Sequence, residues 1–266
     1  MGTAEGAKKA REARALKQHM RAEREDRPDI ATFVTDPRYL GRSIGARLSV
    51  AQRTLLKGCY GQPLTDEELE VWQQATRRAY PAREFLEVTV VAGSRAGKDS
   101  RFLAPVLLYE AIYGGFVVNV GETAVVACVA QDMKAAGIVH RLMRGYLKES
   151  PLLAEELVSE RRDALVLRNG IEVRVFPCTS KAIYGYSVPA GGMDELGRFK
   201  FEGAADSDVD IQASILRGQG NYRRAKLFKV STPSGRDGVL YQDFQLFSAC
   251  STVAPQKSDE TKILPR

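Results

Sequence analysis

The chain has 266 residues, of which 44% are hydrophobic and 27% charged, with a formal net charge of +6. That length buries a sizeable core, as one large α/β domain or one domain with appendages, and the composition is ordinary for a globular chain. No apolar run approaches the roughly 20 residues that span a bilayer, and the N-terminus lacks the apolar stretch of a secretory signal, so a cytoplasmic protein without membrane contact is expected.

Residues 1–30 mix Ala, Lys, Arg and Glu with few large apolar side chains. Such a stretch forms a solvated helix or a disordered arm, ended near Pro28, or a basic arm that folds on DNA or a partner. Residues 31–85 read as a small helical subregion. Thr32 to Leu48 looks irregular, whereas Ser49 to Lys57 predicts a helix with Ser49 as N-cap. After the turn Gly61-Gln62-Pro63, a second helix is predicted over Asp66 to Ala79, capped by Thr65 and closed by Tyr80-Pro81.

Residues 86–250 carry the pattern of an α/β core. Leu86 to Val91 is a β-branched strand that breaks into the loop AGSRAGKDS, and Arg101 to Tyr113 follows at helical spacing. Strand, tight loop, lysine and helix together form a phosphate-binding context. The backbone N–H groups of Gly93, Ser94, Arg95, Ala96, Gly97, Lys98, Asp99 and Ser100 are the candidate donors, and Lys98 adds a point charge. The usual pattern departs at two places: Ala92 precedes Gly93 at the first glycine position, and Asp99 intervenes between Lys98 and Ser100. Taken alone, a short Gly/Lys loop also fits an ordinary strand-to-helix turn.

Ala124 to Ala130 is an apolar run of the kind buried on both faces of a parallel sheet, and Gln131 to Lys148 shows helical spacing. The alternation predicts a doubly wound, mostly parallel sheet flanked by helices. Pro151 to Val158 reads as another short helix. Ala164 to Arg168 and Ile171 to Phe176 flank Asn169-Gly170, a strong hairpin signal. Tyr186 to Asp194 is a poor strand by propensity, with Pro189 and Gly191-Gly192 inside it, yet it ends in the acidic pair Asp194-Glu195 where another core strand is expected. Lys226 to Ser231 is a clearer strand running into Thr232-Pro233-Ser234. Residues 251–266 read as a polar tail or linker.

The four cysteines (Cys59, Cys128, Cys178 and Cys250) form no CxxC pair, so they read as small buried hydrophobes in a reducing compartment. With only His19 and His140 besides, a zinc site has little to draw on. The positive balance mildly favours a polyanionic partner, with Lys57, Arg77-Arg78, Arg161-Arg162 and Arg223-Arg224 as unranked contact candidates.

A phosphate loop becomes an ATPase only with a carboxylate near the metal and another that orients the attacking water. Asp194 and Glu195 are candidates for those two roles. The set LSVAQRTLLK, VAGSRAGKDS, AVVACVA, the Asn-Gly hairpin, MDE and STPSG, in this order over roughly Leu48 to Phe244, resembles the N-terminal ATPase domain of the phage terminase large subunit, the motor that packages DNA into capsids. The resemblance implies an ASCE or RecA-like P-loop NTPase that hydrolyses ATP with Mg2+ to move double-stranded DNA. It implies phosphate binding by the loop with Arg95 as the loop arginine, Glu195 with Lys98 and Arg95 in catalysis, and Mg2+ at Asp194 with Asp99 or Ser100. Ser231, Thr232, Pro233 and Ser234 match the segment that couples hydrolysis to movement, Gln52 the adenine-side glutamine, and Arg141 or Arg144 an arginine supplied to a neighbour. The implied partners are duplex DNA through its phosphates, a portal protein, a small terminase subunit and further copies in a ring, in the host-cell cytoplasm. The family's proteins continue into a nuclease; with the chain ending at Arg266, an isolated motor domain without DNA cleavage is expected. A helicase-like ATPase and a nucleotide- or DNA-binding module with impaired turnover are the alternatives.

Overall fold

The computed structural model describes residues 27–45, 48–118, 121–199, 207–248 and 262–265. The expected N-terminal arm lies almost wholly outside them.

Between Ile30 and Thr76 the chain forms four helices: α1 (Ile30–Thr35), α2 (Gly41–Ile44), α3 (Val50–Cys59) and α4 (Asp66–Thr76). The last two carry full capping boxes, in which Ser49 and Gln52, and Thr65 and Glu68, exchange side chain and backbone hydrogen bonds. The segment expected to be irregular holds α1 and α2 instead. Six and four residues are too few to display a helical period, and α1 is fixed by its Asp29 cap and by burial of Ile30, Phe33 and Val34.

The core is an eight-stranded sheet. Its strands are β1 (Glu87–Val91), β2 (Ala124–Ala130), β3 (Leu157–Glu160), β4 (Ala164–Leu167), β5 (Glu172–Pro177), β6 (Ser187–Asp194), β7 (Lys226–Ser231) and β8 (Lys262–Pro265), in the spatial order β3-β4-β5-β2-β6-β7-β1-β8. Strands β5, β2, β6, β7 and β1 run parallel, and β3, β4 and β8 join antiparallel at the two edges. The hairpin across Asn169-Gly170 forms as expected, with Gly170 at φ 82°. Two expectations are corrected. The stretch 151–158 is a 3-10 turn at Ala154–Glu156 leading into β3. The tail supplies β8, because β1 would otherwise leave an unpaired edge.

Helices α5 (Ala104–Tyr113) and α6 (Met133–Glu149) pack with α1–α4 on one face; α7 (Asp208–Gly218) and α8 (Gly238–Ser248) cover the other. Every residue of β2 is buried, Val126 and Cys128 toward the first layer and Val125 and Val129 toward the second. Each such valine contributes on the order of 1.5–3 kcal/mol by leaving water.

Strand β6, the weakest by propensity, lies at the centre and pairs on both sides. Its glycines are required by close approach. A Cβ at Gly191 would stand 2.7 Å from Ile215 Cγ2, and one at Gly192 2.9 Å from both Leu103 and Leu107. Pro189 falls where the β2–β6 register shifts, between the pairs Ala124–Ser187 and Val126–Ala190, so its missing N–H breaks no regular ladder.

Candidate active site

The carboxyl ends of β1, β6 and β7 converge, the place where open parallel sheets bind ligands. Ala92 N donates to Ser231 O at 3.0 Å, extending the β1–β7 pairing into the loop. The loop then turns tightly, with Ala96 N donating to Gly93 O and Arg95 and Gly97 at φ 64° and 80°. Glycine takes that conformation without penalty; Arg95 does not, so the loop holds some strain there.

The helix begins three residues earlier than its apolar spacing indicates. Lys98–Leu103 is a π turn, and Ala104 N donates to Asp99 O, five residues back. The wide turn takes up one extra residue before α5 begins. This is where Asp99 stands between Lys98 and Ser100. Two contacts hold the turn: Tyr146 of α6 donates its hydroxyl to Ser100 O at 2.7 Å, and Gln52 Nε2 donates to Ala96 O at 3.0 Å. Gln52 Oε1 accepts from Ser49 N and from Arg101 Nη1. Both ends of the Gln52 amide therefore hold the loop and the α3 cap together.

Lys98 Nζ lies 2.8 Å from Glu195 Oε1 and 3.2 Å from Asp99 Oδ1. Burial disfavours the ammonium, but Glu195 and Asp99 outweigh it and hold the Lys98 pKa above its ordinary value. Glu195 is left-handed at φ 52°, a conformation that costs a non-glycine residue about 1–3 kcal/mol. Its Oε2 accepts from Thr232 N at 3.1 Å and Thr232 Oγ1 at 2.9 Å. Burial alone would raise the Glu195 carboxyl, yet Lys98 and Thr232 keep it below the usual range, ionised at neutral pH. The left-handed turn thus directs the carboxylate between the loop and Thr232, and these partners hold it there.

Asp194, one residue earlier, points elsewhere. It is 6% exposed and its Oδ1 has no hydrogen-bond partner. Burial, then the charge of Asp99, pushes its pKa up to about 8. Cys128 of β2 lies close to both carboxylates and is buried with its thiol protonated. Beside this pair a cleft of about 300 Å3 is lined by Arg95, Gly97, Lys98, Asp99, Ser100 and Leu142.

The segment Ser231 to Ser234 joins the same cluster. Ser231 Oγ accepts from Gly197 N, and Ser234 Oγ donates to Gly197 O at 3.0 Å. The structure therefore brings together Lys98, Asp99, Ser100, Asp194, Glu195, Ser231, Thr232 and Ser234. Arg95 is exposed at the cleft's rim. Arg141 and Arg144 lie on α6, the latter paired with Glu160. Of the basic candidates, Lys57 is a correction: its ammonium is 2.5 Å from the fully buried Glu68, which makes it a structural partner. Arg161 pairs with Glu172 and Arg224 with Glu84; Arg77, Arg78, Arg161, Arg162 and Arg223 are exposed. Two contributors carry no functional signal in the sequence. Tyr146 reads there only as an apolar helix position, and Arg198, 3.9 Å from Glu195 Oε2, shows nothing beyond its charge.

No protein-family model matches the chain, and no curated protein matches it. Among solved structures, the large terminase of HK97 bacteriophage aligns over 83% of this chain at 19% identity, with a TM-score of 0.59. The chain shares its fold. That fold is the P-loop NTPase fold, with β7 standing between the loop-bearing β1 and the acidic-ended β6. The alignment covers 41% of the HK97 protein, so the chain corresponds to less than half of it. A large terminase from a thermophilic bacteriophage aligns over 70% of this chain and 42% of its own, at 18% identity and a TM-score of 0.46. The Thermus phage P74-26 large terminase ATPase domain aligns over 68% and 73%, at 15% identity and 0.44; neither of these scores adds to the fold argument.

Proposed function

We propose that this chain is the ATP-hydrolysing motor domain of a terminase-type DNA-packaging machine. The observation that carries the reading is the position of Glu195, ion-paired to the loop lysine on one oxygen and hydrogen-bonded to Thr232 on the other. Lys98 and the loop N–H groups bind the polyphosphate, whose charge draws the lysine off Glu195. The freed carboxylate, ionised at neutral pH, orients a water toward the terminal phosphate and accepts its proton. Any change in the Glu195 carboxylate is felt by Thr232, and through Ser231 and Ser234 by the Gly197 turn, which is a physical route from chemistry to movement. Arg95 at the rim is placed to meet charge on the phosphates.

Mg2+ is a hard cation that takes oxygen ligands, and the buried, unpartnered Oδ1 of Asp194 facing Asp99 fits it. Asp194 and Asp99 would hold it with Ser100 beside them, and bound there it neutralises charge on the transferring phosphoryl group. Duplex DNA, met through phosphates by Arg77, Arg78, Arg162 or Arg223, is the proposed track, and such binding weakens as salt rises. A ring of copies, with Arg141 or Arg144 reaching a neighbour's site, is the proposed assembly, and the portal protein and small terminase subunit are its proposed partners.

Steady-state phosphate release from ATP, with and without duplex DNA, tests the reading. Glu195→Gln is expected to lower turnover by about 10²–10⁴-fold while nucleotide still binds. A variant that hydrolyses ATP like the parent removes the assignment. A parent that binds nucleotide but never turns it over points instead to a binding module.

A further inference from the structure

The residue that breaks the loop pattern is also the one that changes the charge of the site. Where the ordinary loop offers a neutral hydroxyl after its lysine, this chain offers Asp99, and the π turn keeps it at the mouth of the cleft. The cluster then holds three carboxylates, Asp99, Asp194 and Glu195, around the single ammonium of Lys98. Lys98 is 2.8 Å from Glu195 and 3.2 Å from Asp99, and the further cation Arg198 approaches Glu195, at 3.9 Å. Nothing among the described residues donates a hydrogen bond to Asp194 Oδ1, although the side chain is 6% exposed and faces Asp99. Asp99 Oδ1 has the Lys98 ammonium at 3.2 Å and no other partner among the described residues. Two carboxyl groups with an adjoining hydroxyl, Ser100, form a hard oxygen set.

We propose that Asp99 and Asp194 make a divalent-cation site that fills before nucleotide arrives. In an ordinary loop with one carboxylate and one hydroxyl, most of the negative charge holding Mg2+ comes from the phosphates of the ligand. Here the protein supplies it, so the cation is resident and the polyphosphate binds to a site already charged with it. The inference rests on the phosphate-loop reading only for what binds second.

The test is Mn2+ titrated into the nucleotide-free 266-residue chain, with free Mn2+ followed by electron paramagnetic resonance and Mg2+ as competitor. The expected result is one saturable site per chain, emptied by excess Mg2+. Asp99→Ser, which restores the usual hydroxyl, should weaken Mn2+ binding at least tenfold, with folding checked by circular dichroism. Lys98→Met should tighten it, because a competing positive charge is removed. Absence of saturable binding by the parent, or equal affinity in Asp99→Ser, overturns the proposal. Adding ATP to the same samples reports on the phosphate loop separately. Cation uptake without ATP binding supports this site and removes the motor reading, whereas ATP binding without prior cation uptake does the reverse.

Discussion

Two groups of buried charges sit on neighbouring strands and are built on opposite terms. Within β7, Lys229 is fully buried and ion-paired to Glu87 and Asp243, and Thr89 Oγ1 donates to Asp243 Oδ2 at 2.6 Å. On the other face Lys226 pairs with Glu84 at 2.6 Å and Glu110 at 2.7 Å, over the Tyr60 ring at 3.8 Å. Each of these ammonium groups meets two carboxylates and ties the sheet to its covering helices. At the carboxyl end of β6, Asp194 Oδ1 has neither an ammonium nor a hydrogen-bond donor beside it among the described residues, and a cleft opens alongside. Carboxylates that each meet a buried ammonium serve the fold; a carboxyl oxygen left without a partner beside a cleft marks where a ligand completes the set.

Removing one member from each group should have opposite consequences. Lys229→Met leaves Asp243 and Glu87 buried without their cation and is expected to cost about 3–5 kcal/mol of stability by urea denaturation. Lys98→Ala should lose at least about 100-fold in affinity for a fluorescent ATP analogue, equivalent to about 2.7 kcal/mol, while losing much less stability than Lys229→Met. If the two variants lost stability equally, the distinction between the groups would collapse. Between them lies β6: Gly191→Ala drives a Cβ toward the stiff, β-branched Ile215, with an expected loss of about 1–3 kcal/mol seen as a lowered thermal midpoint. The smallest effect is expected from Ser49→Ala. It removes the cap that orders Gln52 beneath the loop, costing about 1 kcal/mol and weakening nucleotide binding slightly by the same fluorescence titration.

The same contrast explains what the sequence makes legible. Strand β2 announces itself because its seven residues are all apolar, and the hairpin because Asn-Gly fits its turn. The capping boxes at Ser49 and Thr65 are local patterns, so both helices start where expected. Strand β6 is expected from its place in the order but weakly marked, because its glycines answer to Ile215, Leu103 and Leu107, side chains far away in sequence. Lys226 and Lys229 look like solvated strand positions, since their partners Glu84, Glu87, Glu110 and Asp243 come from other elements and loops. Of the site, Lys98, Asp194, Glu195 and Thr232 are legible as motif members. The left-handed Glu195 and the tether from Tyr146 to Ser100 exist only in three dimensions.

The π turn at Lys98–Leu103 bears on how such loops are recognised across distant relatives. A turn closed five residues back holds one residue more than an ordinary helical turn, and Phe102, Leu103, Val106 and Leu107 stand in the core on either side of its end. A pattern that demands a hydroxyl directly after the lysine passes over this chain, because Asp99 stands at that position.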